Sequence, residues 1–131
     1  MVVDTVADCL TRIRNGVAVQ KRQVEVPYSK IVLGIINVLK DGGYIKSFCI
    51  KNGKKSFLKI IVISFWEGAC YPINILKQIS KPGRRVYAKA KRLPEVMNGL
   101  GIAILSTSNG IVSNKVAAKK NIGGEILCYA F

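Results

Sequence analysis

The stretch Ser29-Lys-Ile-Val-Leu-Gly-Ile-Ile-Asn-Val-Leu-Lys-Asp-Gly-Gly43 decides how the first half of the chain is built. Val32, Ile35, Ile36 and Leu39 recur at the spacing of a helix with one apolar face. Ser29 is a residue type whose side-chain oxygen takes a free N–H of the first turn. Gly42-Gly43 is a common helix stop. On the N-terminal side, residues 23–27 alternate and read as a short strand. Before them, Val6, Leu10, Ile13 and Val17 form a second helical stripe, with Arg12 and Arg14 turned away from it. Thr5 and Asp8 fit a Thr-x-x-Asp capping box, and Gly16 weakens the last turn. On the C-terminal side, residues 45–51 and 56–64 read as strands joined through Asn52-Gly53, a pair that tolerates positive φ. The first half therefore reads α-β-α-β-β.

Periodicity breaks between Glu67 and Pro72. The expected fold is α+β in two small domains: 1–66, and a mainly β second domain, 67–131, with one short helix. In the second half, residues 73–79 read as a strand, Lys81-Pro82-Gly83 as a turn, 85–90 as the returning strand and 94–98 as a helical turn at most. Ile102 to Thr107 is a strand, Asn109-Gly110 a tight turn, and Ile111-Val112 the return. Ser113 or Asn114 caps a short basic helix ending near Asn121. Gly123-Gly124 breaks that helix, and residues 125–131 close the chain as an apolar strand.

The 131 residues hold 21 Lys+Arg against 7 Asp+Glu, a formal charge of +14, while half are hydrophobic. The apolar half supplies a core. The charge excess repels itself and calls for a polyanionic partner, nucleic acid first and an anionic membrane surface second. The most apolar run, 58–66, is interrupted by Lys59 and Ser64 and falls far short of the ~20 residues that span a bilayer. Asp4 and Asp8 stand where a secretory signal would have a basic and then apolar run, so a cytoplasmic location is expected. Cys9, Cys49, Cys70 and Cys128 are scattered, with no C-x-x-C pair and no histidine. Neither a zinc site nor a disulfide framework is expected, and the four read as reduced, buried apolar groups.

Catalysis finds little to work with. Without histidine the usual general base near neutral pH is missing, and Ser-His-Asp and Cys-His arrangements are excluded. There is no phosphate-binding G-x-x-x-x-G-K-[ST] loop. Gly99-Leu100-Gly101 is only a G-x-G, better explained as a turn into the next strand. No enzyme activity, cofactor, small-molecule substrate or membrane partner is expected.

The basic clusters are more informative. Lys77, Lys81, Arg84, Arg85, Lys89, Lys91 and Arg92 follow one another with no acidic residue between them, and Tyr87 lies inside the run. Dense positive charge binds phosphates through counterion release, and an aromatic face offers a stacking platform. Lys115, Lys119 and Lys120 add a second group. Ser106-Thr107-Ser108 puts three hydroxyls before the Asn109-Gly110 turn. Such groups can contact phosphate, a ribose 2′-OH or a base edge, and the same residues are also ordinary turn chemistry.

Residues 100–110, Leu-Gly-Ile-Ala-Ile-Leu-Ser-Thr-Ser-Asn-Gly, and 122–129, Ile-Gly-Gly-Glu-Ile-Leu-Cys-Tyr, resemble the C-terminal signature of the bacterial-type small-subunit ribosomal protein eight family. Residues 4–16, Ser29-Lys30, 80–87 and 93–101 match its other blocks in order, so the resemblance covers essentially the whole chain. It implies two small α/β domains that bind a stem in the central domain of 16S rRNA and help organise platform assembly. In some members it also implies repression of the protein's own messenger RNA. Neighbouring small-subunit proteins, five and twelve, are the implied protein partners. The resemblance makes Ser106, Thr107 and Ser108, with Asn109 and Gly110, the reading loop. Tyr87, Glu125 and Gly123-Gly124 lie beside it, and Thr5, Ser29 and Lys30 touch a further part of the RNA. Lys55, Arg84, Arg85 and Lys119 complete the expected RNA-contacting set. Glu125 either accepts hydrogen bonds from the loop or simply begins the last strand; the resemblance favours the first. Cys128 is expected to pack behind the loop. Asn109 stands where many relatives carry Lys, Arg or Gln, and Val116 interrupts the usual basic, Ala-rich helix. A basic DNA-compacting module is the rival. It predicts equal binding to duplex DNA, and no helix-turn-helix recognition helix is evident.

Overall fold

Helix α1 (Thr5–Ala18) and helix α2 (Lys30–Asp41) pack their apolar stripes inward. Val6, Leu10 and Ile13 of α1 meet Val32, Ile35, Ile36 and Leu39 of α2 in one buried cluster. The computed structural model describes residues 4–53, 59–66 and 75–131. Capping follows local chemistry with one correction. Ser29 Oγ accepts from Val32 N–H (3.1 Å), as expected. The cap of α1 is Asp4, not Thr5: its Oδ1 accepts from Ala7 N–H (3.0 Å), and its Oδ2 accepts from the Gln78 side chain (2.8 Å). A carboxylate also suits the positive end of the helix better than a hydroxyl does.

Strands β1 (Gln23–Pro27), β2 (Ser47–Asn52) and β3 (Lys59–Ser64) form an antiparallel sheet in the order β1-β3-β2. The hairpin is longer than the Asn52-Gly53 pair suggests. Asn52 is still paired, opposite Lys59, so the connection begins at Gly53. Residues 54–58, among them Lys55, and residues 67–74, which hold the expected boundary, lie outside the described residues.

The second half is built on β4 (Leu76–Gln78), β5 (Tyr87–Ala88), β6 (Ile102–Thr107), β7 (Gly110–Ser113) and β8 (Gly124–Ala130). They form a five-stranded antiparallel sheet in the order β4-β8-β6-β7, with β5 also on β8. The strand expected over 85–90 shrinks to two paired residues, because the chain leaves the sheet for a 3-10 turn at Ala90–Arg92. Helix α3 (Asn114–Lys120) is capped by Ser113 Oγ, which accepts from Val116 N–H (3.3 Å), and ends on Asn121 in the left-handed region. The continuous apolar run at the start of β6 reflects burial on both faces. Ile102 and Ile104 join the main core with Leu127, Cys128 and residues of the first half, while Ala103 and Leu105 join Val96 and Ile126 in a second cluster. The architecture is α+β with two sheets, and the larger core draws on both halves of the chain.

Close packing between α2 and β7 needs Gly34. A Cβ there would lie 2.7 Å from Ile111 Cδ1 and 2.9 Å from Ile111 Cβ. Of the cysteines, Cys9 and Cys128 are buried as expected. Cys49 is not; it is exposed on the edge strand β2. Cys70 lies outside the described residues. No helix among the described residues is long and apolar enough to cross a membrane.

Candidate RNA-binding surface

Register brings three of the sequence-predicted residues into one row. Ser106 on β6 is paired with Glu125 on β8, which is paired in turn with Tyr87 on β5. Directly opposed residues of antiparallel strands project to the same face. The row therefore joins a hydroxyl, a carboxylate and an aromatic ring that is 69% exposed. A register shift between Ile104 and Leu105 precedes it, where two residues of one strand face one of the other. Two glycines let the strands come this close. A Cβ on Gly124 would overlap the Ser106 carbonyl oxygen, and one on Gly123 would overlap the Ala88 carbonyl oxygen.

The loop beyond the row divides its hydroxyls by role. Thr107 pairs with Gly110, so Ser108 and Asn109 are the turn's central residues, one place earlier than the Asn109-Gly110 turn expected. Thr107 Oγ1 accepts from Asn109 N–H (3.2 Å) and donates to Gly110 C=O (2.7 Å). Gly110 takes φ +94°, which a side chain would strain. Thr107 thus holds the turn. Among the described residues the hydroxyls of Ser106 and Ser108 have no hydrogen-bond partner, which leaves each a donor and an acceptor for a ligand.

Glu125 does not hold the loop. Its Oε1 accepts from Arg85 Nη1 at 3.1 Å instead, with the carboxylate mostly buried and the guanidinium half-exposed. Arg85 is thereby a partner of the row, which sequence reasoning missed because the two residues are 40 positions apart. Ser80 was missed likewise. Its buried hydroxyl donates to Val86 C=O (3.2 Å) and accepts from Val86 N–H (3.0 Å), closing the turn that presents Arg84 and Arg85. Asn114 was read only as a possible cap. It is buried, with Oδ1 accepting from Ala103 N–H (3.2 Å) and Nδ2 donating to Pro94 C=O (2.9 Å), so it ties α3 to β6.

Positive charge surrounds the row. A groove of about 770 Å³ beside Tyr87 is lined by Lys89, Lys91, Arg92, Pro94 and Asn121, among others. Lys30, Arg84 and Lys119 are exposed, and none has an ion pair among the described residues. Thr5 is exposed in the first turn of α1. Ser29 spends its oxygen on the α2 cap. Gly34 of α2 sits against Ile111, while Val38 and Asp41 share a groove with Val112 and Ser113. Helix α2 therefore runs along β7 with its Ser29–Lys30 end toward the Gly110 turn. Among the described residues no cluster of three or more Cys, Asp or Glu could hold a metal ion.

The profile of the family described as Ribosomal protein S8 matches residues 4–131. A small ribosomal subunit protein uS8 of Finegoldia magna is 46% identical over 131 residues, with all of both chains covered. The uS8 of Mesoplasma florum is 48% identical, also over the full length of both. That of Wigglesworthia glossinidia brevipalpis is 44% identical over 96% of this chain and 95% of its own. The chain belongs to the ribosomal protein S8 family.

Proposed function

We propose that this protein binds a stem in the central domain of 16S rRNA directly, through the row Ser106–Glu125–Tyr87 and the turn that follows it. Family membership makes it a structural constituent of the small ribosomal subunit and not an enzyme. The observation that carries the finer reading is the pair of hydroxyls without a partner among the described residues, Ser106 on β6 and Ser108 in the turn held by Thr107, beside an exposed ring. Hydroxyls without internal partners read a 2′-OH or a base edge; lysines around them supply affinity without sequence preference. Residues 67–131 are on this reading the RNA-recognition domain, and Thr5, Ser29, Lys30 and Lys55 of residues 1–66 contact a further part of the RNA. Arg84, Arg85 and Lys119 hold phosphates. Asn109 and Gly110 shape the loop, and Glu125 positions Arg85. In the subunit the protein helps organise the platform beside proteins five and twelve, and a similar stem in its own messenger RNA lets it repress translation.

The test is competition at moderate salt between the rRNA stem, a random RNA duplex and duplex DNA. Wild type should prefer the stem, and equal binding of all three would reject the reading in favour of a general polyanion binder. Replacing Ser106 and Ser108 by Ala should weaken binding to the stem by about 5- to 150-fold, as loss of ~1–3 kcal/mol of specific contact implies, and binding to the random duplex much less. Lys119→Ala should weaken both alike and flatten the salt dependence.

A further inference from the structure

The seven cations between Lys77 and Arg92 do not form one patch. Lys89, Lys91 and Arg92 line the groove beside Tyr87, whereas Lys77 and Lys81 join Arg14 around a separate groove of about 410 Å³ between α1 and β4. We propose that this second groove binds backbone phosphates of the same RNA that lies on the Ser106–Glu125–Tyr87 row. The inference rests on the RNA-binding reading above and extends it to a site that the reading does not use.

Four observations support it. Arg14, Lys77 and Lys81 are exposed, and among the described residues none has an ion pair, whereas Arg12 is held by Asp8 at 3.1 Å and Arg85 by Glu125. The described wall contains no carboxylate. Arg14 Nε donates to Leu10 C=O (3.4 Å), which ties the guanidinium to its own helix and leaves the Nη donors for an anion. The carboxylate that approaches through Gln78 is Asp4, and it is already committed, one oxygen to Ala7 N–H and the other to the Gln78 amide. Asp4 therefore orients Gln78, and among the described residues it forms no ion pair with Arg14, Lys77 or Lys81.

The chemistry of the wall favours RNA over an acidic protein segment. Gln78 gives its NH₂ to Asp4 and keeps a carbonyl oxygen, an acceptor suited to a ribose 2′-OH and of no use to a carboxylate. Ile75, 47% exposed, offers apolar surface of the kind a ribose covers. The groove's strand β4 and the row's strand β5 both pair with β8. Tyr87 pairs with Glu125 and Gln78 with Cys128, three residues along β8, a separation of about 10 Å at the rise of a strand. One RNA backbone spans that distance within a few nucleotides.

The test measures binding of the full-length protein to a central-domain 16S rRNA fragment across a KCl series. Wild type, the triple variant Arg14→Gln/Lys77→Gln/Lys81→Gln and the single variant Lys77→Glu are compared, with circular dichroism to verify folding. The triple variant should lower the slope of log K against log salt by about 2 while keeping the preference for the cognate stem. Ethylation interference on wild type should reveal phosphates whose modification weakens wild type but not the triple variant. An unchanged slope together with unchanged interference would overturn the proposal. So would binding of poly-glutamate to wild type that the triple variant loses while its RNA slope is preserved; that result would assign the groove to an acidic protein. Failure of wild type to prefer the fragment over random RNA strikes the underlying reading, whereas a normal preference with an unchanged slope strikes only this groove.

Discussion

The three hydroxyls of residues 106–108 look equivalent in sequence and are not equivalent in the fold. Thr107 is bound within its own turn, while the half-buried Ser106 and the exposed Ser108 have no side-chain hydrogen-bond partner among the described residues. Glu125 serves Arg85, and that pair, half-exposed on the arginine side, contributes little stability, about 0–1 kcal/mol. The residue on which the row depends most is Gly124. An added Cβ would overlap the Ser106 carbonyl oxygen and lie 3.0 Å from Thr107 Cγ2. Backbone cannot swing aside as a side chain does, so β6 and β8 would have to part. Gly124→Ala should cost about 1–3 kcal/mol in urea denaturation, the usual range for overpacking, and should shift the amide NMR signals of residues 106–110. A variant as stable as wild type with an unmoved loop would show that the two strands are not held by this contact.

At the level of elements, the seat of α2 on β7 sets where the Ser29–Lys30 end stands relative to the reading turn. Gly34 is the point of contact. By propensity alone, Gly→Ala inside a helix gains up to ~1 kcal/mol. Here the new methyl would meet Ile111 at 2.7 and 2.9 Å. Cδ1 of Ile111 can rotate away, but its Cβ is fixed to the strand, so the overpacking cost of ~1–3 kcal/mol wins. Gly34→Ala should therefore lower the thermal midpoint even though it improves the helix. A raised midpoint would mean that α2 slides along β7 without loss.

For the molecule as a whole, the shared core leaves a signature in alkaline solution. Burial, and secondarily Asp8, pushes the Cys9 thiol from 9.0 up to about 12, against a lowering by Arg12; burial and then Cys9 raise Cys128 as well. The fold excludes the thiolates, whereas the unfolded chain ionises near its ordinary value. Stability from these groups is thus complete below about pH 9 and is lost as pH rises toward 12. Tyr44, raised by burial, acts in the same direction. Melting temperature should fall steeply above about pH 9, and less steeply in Cys9→Ala/Cys128→Ala, which should itself be weaker at neutral pH. Thiol reagents should label Cys49 in the native protein and reach Cys9 and Cys128 only on unfolding. Rapid native labelling of Cys128 would contradict the core described here.

The sequence by itself determined the parts of this protein that depend on neighbours in the chain. The stripes of α1 and α2, the Ser29 cap, the Gly42-Gly43 stop and the run of β6 follow from periodicity and capping within a few residues, whereas the α3 cap stayed open between Ser113 and Asn114 until the fold committed Asn114 to β6. The resemblance carried by residues 100–110 and 122–129 gave the family, because those blocks keep their residues and spacing. Tertiary structure alone decided the rest. It brought Gln78 to the second oxygen of Asp4, 74 positions away. It gave Glu125 to Arg85, cut the expected strand over 85–90 to two residues, exposed Cys49 on a sheet edge and split one basic run between two grooves. Each of these depends on strand register and long-range closure, which fix partners across tens of residues and leave no local pattern in the chain.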